Sequence, residues 1–283
     1  MASAFLLLLA LMVFFQGSGD GLSSRGDIAV VEINGPIVES KEIVDQLDRV
    51  AKNKHIQGLL LRINSPGGGV GSSQEIYQAV LRVAKDKKVV ASLGGIAASG
   101  GYYIAVAAHK IVANPGTVTG SIGVLMDYIN VEQLLGFLRL HVELLTAGRL
   151  KDTGSPLKPL TPEDRSFLQS ILDNMHAQFK KAVQEGRGLT AEQVDRLADG
   201  RIFTGEQAMK VGLVDQLGNR QTALDLAKEL LGIEGEPKLL YPKKKPSKLL
   251  DLLIDGELET VFLKLYYSLH EGRALYLLKG TML

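Results

Sequence analysis

One hydroxyl is conspicuous for its neighbours. In "GGIAASGGYY" Ser99 has Gly94, Gly95, Ala97 and Ala98 before it and Gly100 and Gly101 after it. Small residues let another chain come close and let the backbone turn where bulkier residues would clash. Such a serine is either part of a packing cluster or a nucleophile. A second glycine turn, Ser65-Pro66-Gly67-Gly68-Gly69, lies about thirty residues upstream, and both turns follow an apolar run and lead into a helical pattern. Two turns of this kind can aim backbone N–H groups at a developing negative charge, with the unpaired donors and positive dipole end of a helix start added to them. Ser99 would then attack while the N–H of Gly100 and one from the Gly67-Gly68 turn hold the oxyanion. Phosphate binding would use similar geometry, but neither turn contains G-x-x-x-x-G-K-[ST]. The serine is not in G-x-S-x-G either, so the sequence offers no nucleophile-elbow argument.

A serine nucleophile needs a base. Of the 5 histidines, His55 and His176 lie in charged helical patterns and His270 in the C-terminal tail. His109 ends the helix that would begin at Ser99, roughly 15 Å along its axis and out of reach. His141 precedes an apolar strand-like run and reads as a half-buried polar group. A lysine can act instead where burial lowers its pKa from about 10.4 towards 7 or 8. Most lysines fall in charged helical patterns. Lys151 falls in "AGRLKDTGSPLKPLTPEDR", which has turn residues and no helical period.

These groups need a scaffold, and the pattern from Ile28 onward is α/β. Strands are read at 28–33, 58–64, 88–93 and 110–113, with helices over 39–52, from Ser72 and from Ser99 to His109. Ser72 and Glu75 have capping-box spacing. Strands alternating with helices predict a sheet covered by helices. The second half is more helical. A long helix starts at Thr161-Pro162, carries Phe167, Leu168, Ile171, Leu172, Met175, Phe179 and Val183 on one face, and stops at Gly186. Two shorter helices each begin at a threonine with glutamine three residues on, Thr190/Gln193 and Thr204/Gln207.

Four segments follow: an apolar run at 1–16, a Gly/Ser/Asp linker at 17–27, the α/β domain at 28–236, and a basic, proline-broken linker with a leucine-rich amphipathic helical tail at 237–283. The apolar run is short of the roughly 20 residues of a full span but suits a signal peptide or anchor. Its missing basic flank leaves orientation unreadable from charge. With 32 Lys+Arg against 31 Asp+Glu there is no global field for nucleic acid. The absence of cysteine excludes disulfides, a thiol nucleophile and thiolate metal sites. No metal site or cofactor motif is read.

"INSPGGGV", "GGIAASGGYYIAVAAHKIVANPGTVTGSIGV", "AGRLKDTGSP" and "ADGRIFTGEQAMKVGLVDQLG", in that order, resemble the single-domain signal peptide peptidase A family over about Ile28 to Gly235. The resemblance implies a Clp/crotonase-like fold and a Ser-Lys dyad protease. It matches Ser99 to the nucleophile, Lys151 to the general base, Gly68 and Gly100 to the oxyanion donors, and Ser121 of "TGSIGV" to the serine that orients the lysine. It further implies a dyad completed between neighbouring subunits of a homo-oligomer, an octameric ring. Substrates would be hydrophobic remnant signal peptides in the membrane, the catalytic domain being anchored and extracytoplasmic. A stomatin-operon-type protease has a related fold and dyad but another substrate. A crotonase-type acyl-CoA enzyme would need acidic groups near the turns, and Lys88 to Val124 has no Asp or Glu. In a non-catalytic membrane assembly subunit both dyad positions would be incidental.

Overall fold

The computed structural model describes residues 27–242 and the backbone of 275–277. In chain order the first half runs β1 (Ile28–Asn34), α1 (Lys41–Lys52), β2 (Gly58–Ser65), β3 (Gly67–Gly69), α2 (Val70–Ala84), β4 (Lys88–Ala98), α3 (Gly100–Ala105), β5 (Lys110–Ala113) and β6 (Val118–Gly120). The second half contains α4 (Glu132–Phe137), α5 (Pro162–Arg187), α6 (Ala191–Leu197), β7 (Ile202–Thr204), α7 (Gly205–Lys210), β8 (Gln216–Leu217), α8 (Arg220–Leu231), β9 (Leu239–Leu240) and β10 (Leu275–Leu277).

The main sheet has the order β7-β6-β4-β2-β1-β9, with β5 joining β4 and β8. All its pairs are parallel except β6 with β7. A parallel sheet needs both faces covered, which explains why β1, β2 and β4 are apolar almost throughout. Ala29, Val31, Leu59, Leu61 and Ala91 face the larger core with α1, α2, α3 and α5, while Ile28, Val30, Leu60 and Val90 meet Ala223, Leu224 and Ala227 of α8. Consecutive residues pointing to opposite faces divide the two sets.

β4 forks the sheet. Its first half pairs with β5 and its last three residues with β6. Between them the register against β2 slips from Ile63 opposite Leu93 to Ser65 opposite Ala97. Asn64 Oδ1 fills the gap, accepting from Gly95 N at 3.0 Å and Ile96 N at 3.3 Å. A Cβ on Gly94 would lie 2.6 Å from that oxygen, so the bulge requires a glycine there. Such a bulge bends the strand locally, here a few residues before Ser99 at its end.

Several sequence expectations change here. The Ser72/Glu75 capping box does not form: α2 begins earlier, Ser72 Oγ donates to Val38 O at 2.8 Å, and Glu75 accepts from Ser40. Both side chains tie α2 to the segment before α1. The long helix runs through Gly186, where a Cβ would meet Val106 O at 2.1 Å, and stops at Gly188, with φ 63°. Gly186 is therefore a close-approach glycine and not a stop. His141 and the run after it are exposed and form no strand. The Thr190/Gln193 and Thr204/Gln207 boxes form as expected. Of the C-terminal tail read as helical, 275–277 is a strand; the rest, like the N-terminal apolar run, lies outside the described residues.

Candidate active site

Ser99 joins β4 to α3 at the carboxyl end of the parallel sheet, where open α/β sheets place their ligands. Its backbone has φ 51° and ψ −119°, a conformation that costs a non-glycine residue about 1–3 kcal/mol and persists only where surrounding bonds enforce it. They do so here: Ser99 N donates to Gly120 O and Tyr103 N to Ser99 O, each at 2.8 Å. The residue is 1% exposed, and its Oγ has no hydrogen-bond partner among the described residues. This is a sharp strand-to-helix turn with a buried hydroxyl at its apex, built without G-x-S-x-G.

The glycines on either side have separate tasks. Gly101 lets α3 settle on the end of β2, since a Cβ there would lie 2.8 Å from Ser65 O. Gly100 is the first residue of α3, so its N–H has no intrahelical acceptor. On the other turn, Ile37 N donates to Gly67 O and Gly69 N to Ile37 O, both at 2.8 Å. That parallel bridge turns the N–H and C=O of Gly68, between them, to the opposite edge. A Cβ on Gly68 would meet Ile37 O at 2.1 Å. On the edge it faces, β10 lies antiparallel with Tyr276 opposite Gly68.

Ser121 follows Gly120, the acceptor for Ser99 N, and also has a positive φ, 51°. Its N–H donates to Arg201 O at 2.9 Å and its side chain is buried. The fold thus gathers Ser99, Gly100, Gly68 and Ser121 at one end of the sheet. Lys151 is elsewhere. It sits in a turn before α5, its N–H on Gly148 O at 3.1 Å and its side chain exposed. The segment of chain between Ser121 and Lys151 carries several exposed apolar side chains, among them Leu134, Phe137, Leu138, Leu140 and Val142, with Phe137 85% and Leu145 95% exposed.

Residues 82–234 match the model of peptidase family S49, and residues 27–117 match that of Clp protease. The chain belongs to peptidase family S49. It is a serine peptidase with a Clp protease-like fold. Among similar proteins, a presumptive protease of Synechocystis sp. is 41% identical over 237 residues, covering 83% of this chain and 85% of that one. Protease 4 of Salmonella typhi is 36% identical and covers 82% of this chain, which spans 38% of that longer protein. A chloroplastic serine protease of Arabidopsis thaliana, named SPPA, is 29% identical over 82% of this chain.

Against that family background, two features of this S49 peptidase escape a sequence reading. The strained backbone of Ser99 is one, because strain depends on β6 supplying Gly120 O. The other is Asn64, whose place in the β4 bulge follows from strand register. Among the described residues no histidine is hydrogen-bonded to Ser99 Oγ. His109 lies at the far end of β4, with Nδ1 accepting from Val89 N at 3.1 Å. Burial, with the Lys88 charge, lowers its pKa.

Proposed function

We propose that this S49 peptidase hydrolyses peptide bonds with Ser99 as nucleophile, Lys151 as general base, and the Gly68 and Gly100 N–H groups as oxyanion donors. The observation that carries the reading is the buried, unpartnered Oγ of Ser99 on a strained turn. A neutral lysine would accept the Ser99 proton as Oγ attacks the carbonyl. The oxygen of the tetrahedral intermediate gains negative charge opposite the two N–H groups. Collapse breaks the C–N bond, the lysine ammonium protonates the leaving amine, and water then cleaves the acyl-enzyme by the same steps.

A lysine serves as base only where burial disfavours its charged form. In the protomer Lys151 is exposed and unbonded to Ser99. A neighbouring copy would supply both the cover and the missing partner, and the exposed apolar side chains of the segment from Leu134 to Leu145 are suited to that contact. The inferred assembly is a homo-oligomeric ring, octameric in the family it resembles, with Ser121 orienting the lysine.

The pairing of β10 with β3 supports an edge that takes an extended chain, as peptide substrates require. The proposed substrates are hydrophobic remnant signal peptides, met by an extracytoplasmic domain anchored through the apolar run at 1–16. No helix among the described residues is long and apolar enough to cross a membrane, so anchoring rests on that run. Family membership removes the acyl-CoA and assembly-subunit readings. A stomatin-operon-type enzyme would keep this site and change the substrate.

The test is labelling with a fluorophosphonate and hydrolysis of an apolar peptide in detergent. Ser99→Ala and Lys151→Ala should each be silent while remaining assembled. Co-refolded together, they should recover activity, since random pairing in a closed ring restores both groups at about a quarter of sites. Normal labelling of Lys151→Ala would remove the lysine from the mechanism; silence of the mixture would place both groups in one protomer.

A further inference from the structure

Two lysines lie in the turn-rich segment before α5, and the fold treats them oppositely. Lys158 Nζ is 2.7 Å from Asp152 Oδ2 and 3.8 Å from Asp164 Oδ2. The bond to Asp152, aided by the charges of both carboxylates, raises its pKa above the ordinary lysine value. A lysine held charged in this way is a poor proton acceptor. Lys151 makes no side-chain hydrogen bond or ion pair among the described residues. Spacing alone does not separate the two; their surroundings do.

The segment around Lys151 has no strand or helix to hold it, so side chains must. Asp164, 4% exposed in the first turn of α5, accepts from Thr161 N at 3.1 Å and Thr161 Oγ1 at 2.8 Å. Those bonds, with Asp164 N on Thr161 Oγ1 at 3.1 Å, complete the capping box. The helix start needs nothing further from this carboxylate. Yet its other oxygen accepts from Thr153 Oγ1 at 2.7 Å, two residues beyond Lys151. The Lys158–Asp152 pair closes the same loop from the residue next to Lys151. Tyr128 Oη donates to the carbonyls of Ser155, at 3.0 Å, and Lys158, while Arg149 pairs with Glu163. Every one of these bonds holds the turn from its sides and leaves the Lys151 side chain clear.

We propose that Thr153 and Asp164 are positioning residues for peptide hydrolysis: their bond, beside the Lys158–Asp152 pair, fixes the turn that presents Lys151 to the nucleophile. The proposal rests on Lys151 being the general base. A long side chain on a loose loop would spend most of its time away from any serine, and misplacement by about 1 Å can cost on the order of a hundredfold in rate. Anchoring the turn to the rigid start of a 26-residue helix limits that loss.

The experiment uses the full chain in detergent. Thr153→Val keeps the shape, removes the hydroxyl and leaves the capping box intact. It should lower kcat for an apolar peptide about tenfold with KM within about twofold, the signature of an interaction used in the transition state. Thr153→Ser restores the hydroxyl and should recover most of the rate, and Asp164→Asn should reproduce the loss. The melting temperature of Thr153→Val should stay within a few degrees of wild type. Wild-type kcat in Thr153→Val, with Lys151→Ala silent, overturns the positioning role and leaves the dyad standing. Equal falls in stability and kcat that serine does not rescue also overturn it, as a structural effect. Normal fluorophosphonate labelling of Lys151→Ala overturns the base assignment and the proposal with it.

Discussion

The Ser99 turn and the Lys151 turn are the two halves of the proposed dyad, and they are built differently. Ser99 is buried, and backbone bonds from β6 and α3 define its conformation, with glycines giving room on both sides. Lys151 is exposed, and side-chain hydrogen bonds and ion pairs from Thr153, Lys158, Asp152 and Asp164 hold its turn. Backbone geometry in a packed sheet resists small perturbations, whereas a loop clasp yields to the loss of one hydroxyl or one charge. In the proposed dyad the nucleophile half is ordered within one protomer, and the base half is the one a neighbouring copy would have to cover.

The largest effect should come from the rigid half. Gly68→Ala puts a Cβ 2.1 Å from Ile37 O; the backbone must move, costing about 2–3 kcal/mol of stability and at least about a hundredfold in peptide hydrolysis. Denaturant melts and kinetics check this, and a variant unchanged in both would show that β3 is not pinned by Ile37. An intermediate effect is expected in the exposed apolar segment that precedes the other half in the chain. Leu145→Glu alters a side chain that is 95% exposed, so the protomer should lose no more than about 0.5 kcal/mol. Assembly and labelling should fall together, as read by light scattering and the fluorophosphonate; a fully assembled, active variant would sever that segment from the site.

The smallest effect concerns pH. Hydrogen bonds from Thr153 and Thr161 lower the Asp164 pKa from 3.8 to about 2. The folded form therefore binds this proton more weakly than the unfolded chain does, so its stabilising contribution is complete above pH 3.8 and fades as pH falls towards 2. Limited proteolysis within 148–160 should accelerate over that window in wild type, and Asp164→Asn should be cut faster already at neutral pH. If both are cut alike at neutral pH, the carboxylate does not hold the turn.

Much of the frame was legible in the chain. The strands at Ile28, Gly58 and Lys88 start where the apolar runs start, because burial on both faces leaves no alternative pattern. The capping boxes at Thr190 and Thr204 are local hydrogen-bonding units and were readable as such. The Ser72/Glu75 pair has the same spacing and failed, since Ser40 and Val38 offered tertiary partners. Gly186 has the residue type of a helix stop, but its reason lies in Val106 O, which a Cβ there would meet at 2.1 Å. On the long α5 face Phe179 and Val183 are buried, while Phe167 at the other end is 39% exposed: helical period predicts which side is apolar, not how much of it a single protomer covers.

By itself the sequence determined the α/β layout, the two glycine turns, the small-residue setting of Ser99 and, through its motifs, the peptidase family. Those properties are encoded in residue type and short-range spacing. Only the tertiary structure decided that Ser99 is strained, that Gly68 turns its N–H away from Ile37, and that, among the described residues, Ser99 Oγ and the Lys151 side chain have no hydrogen-bond partner while Lys158 is paired. Each of these depends on atoms that are distant in the chain or lie on another element of the fold, and their positions are fixed only when sheet, helix and loop pack together.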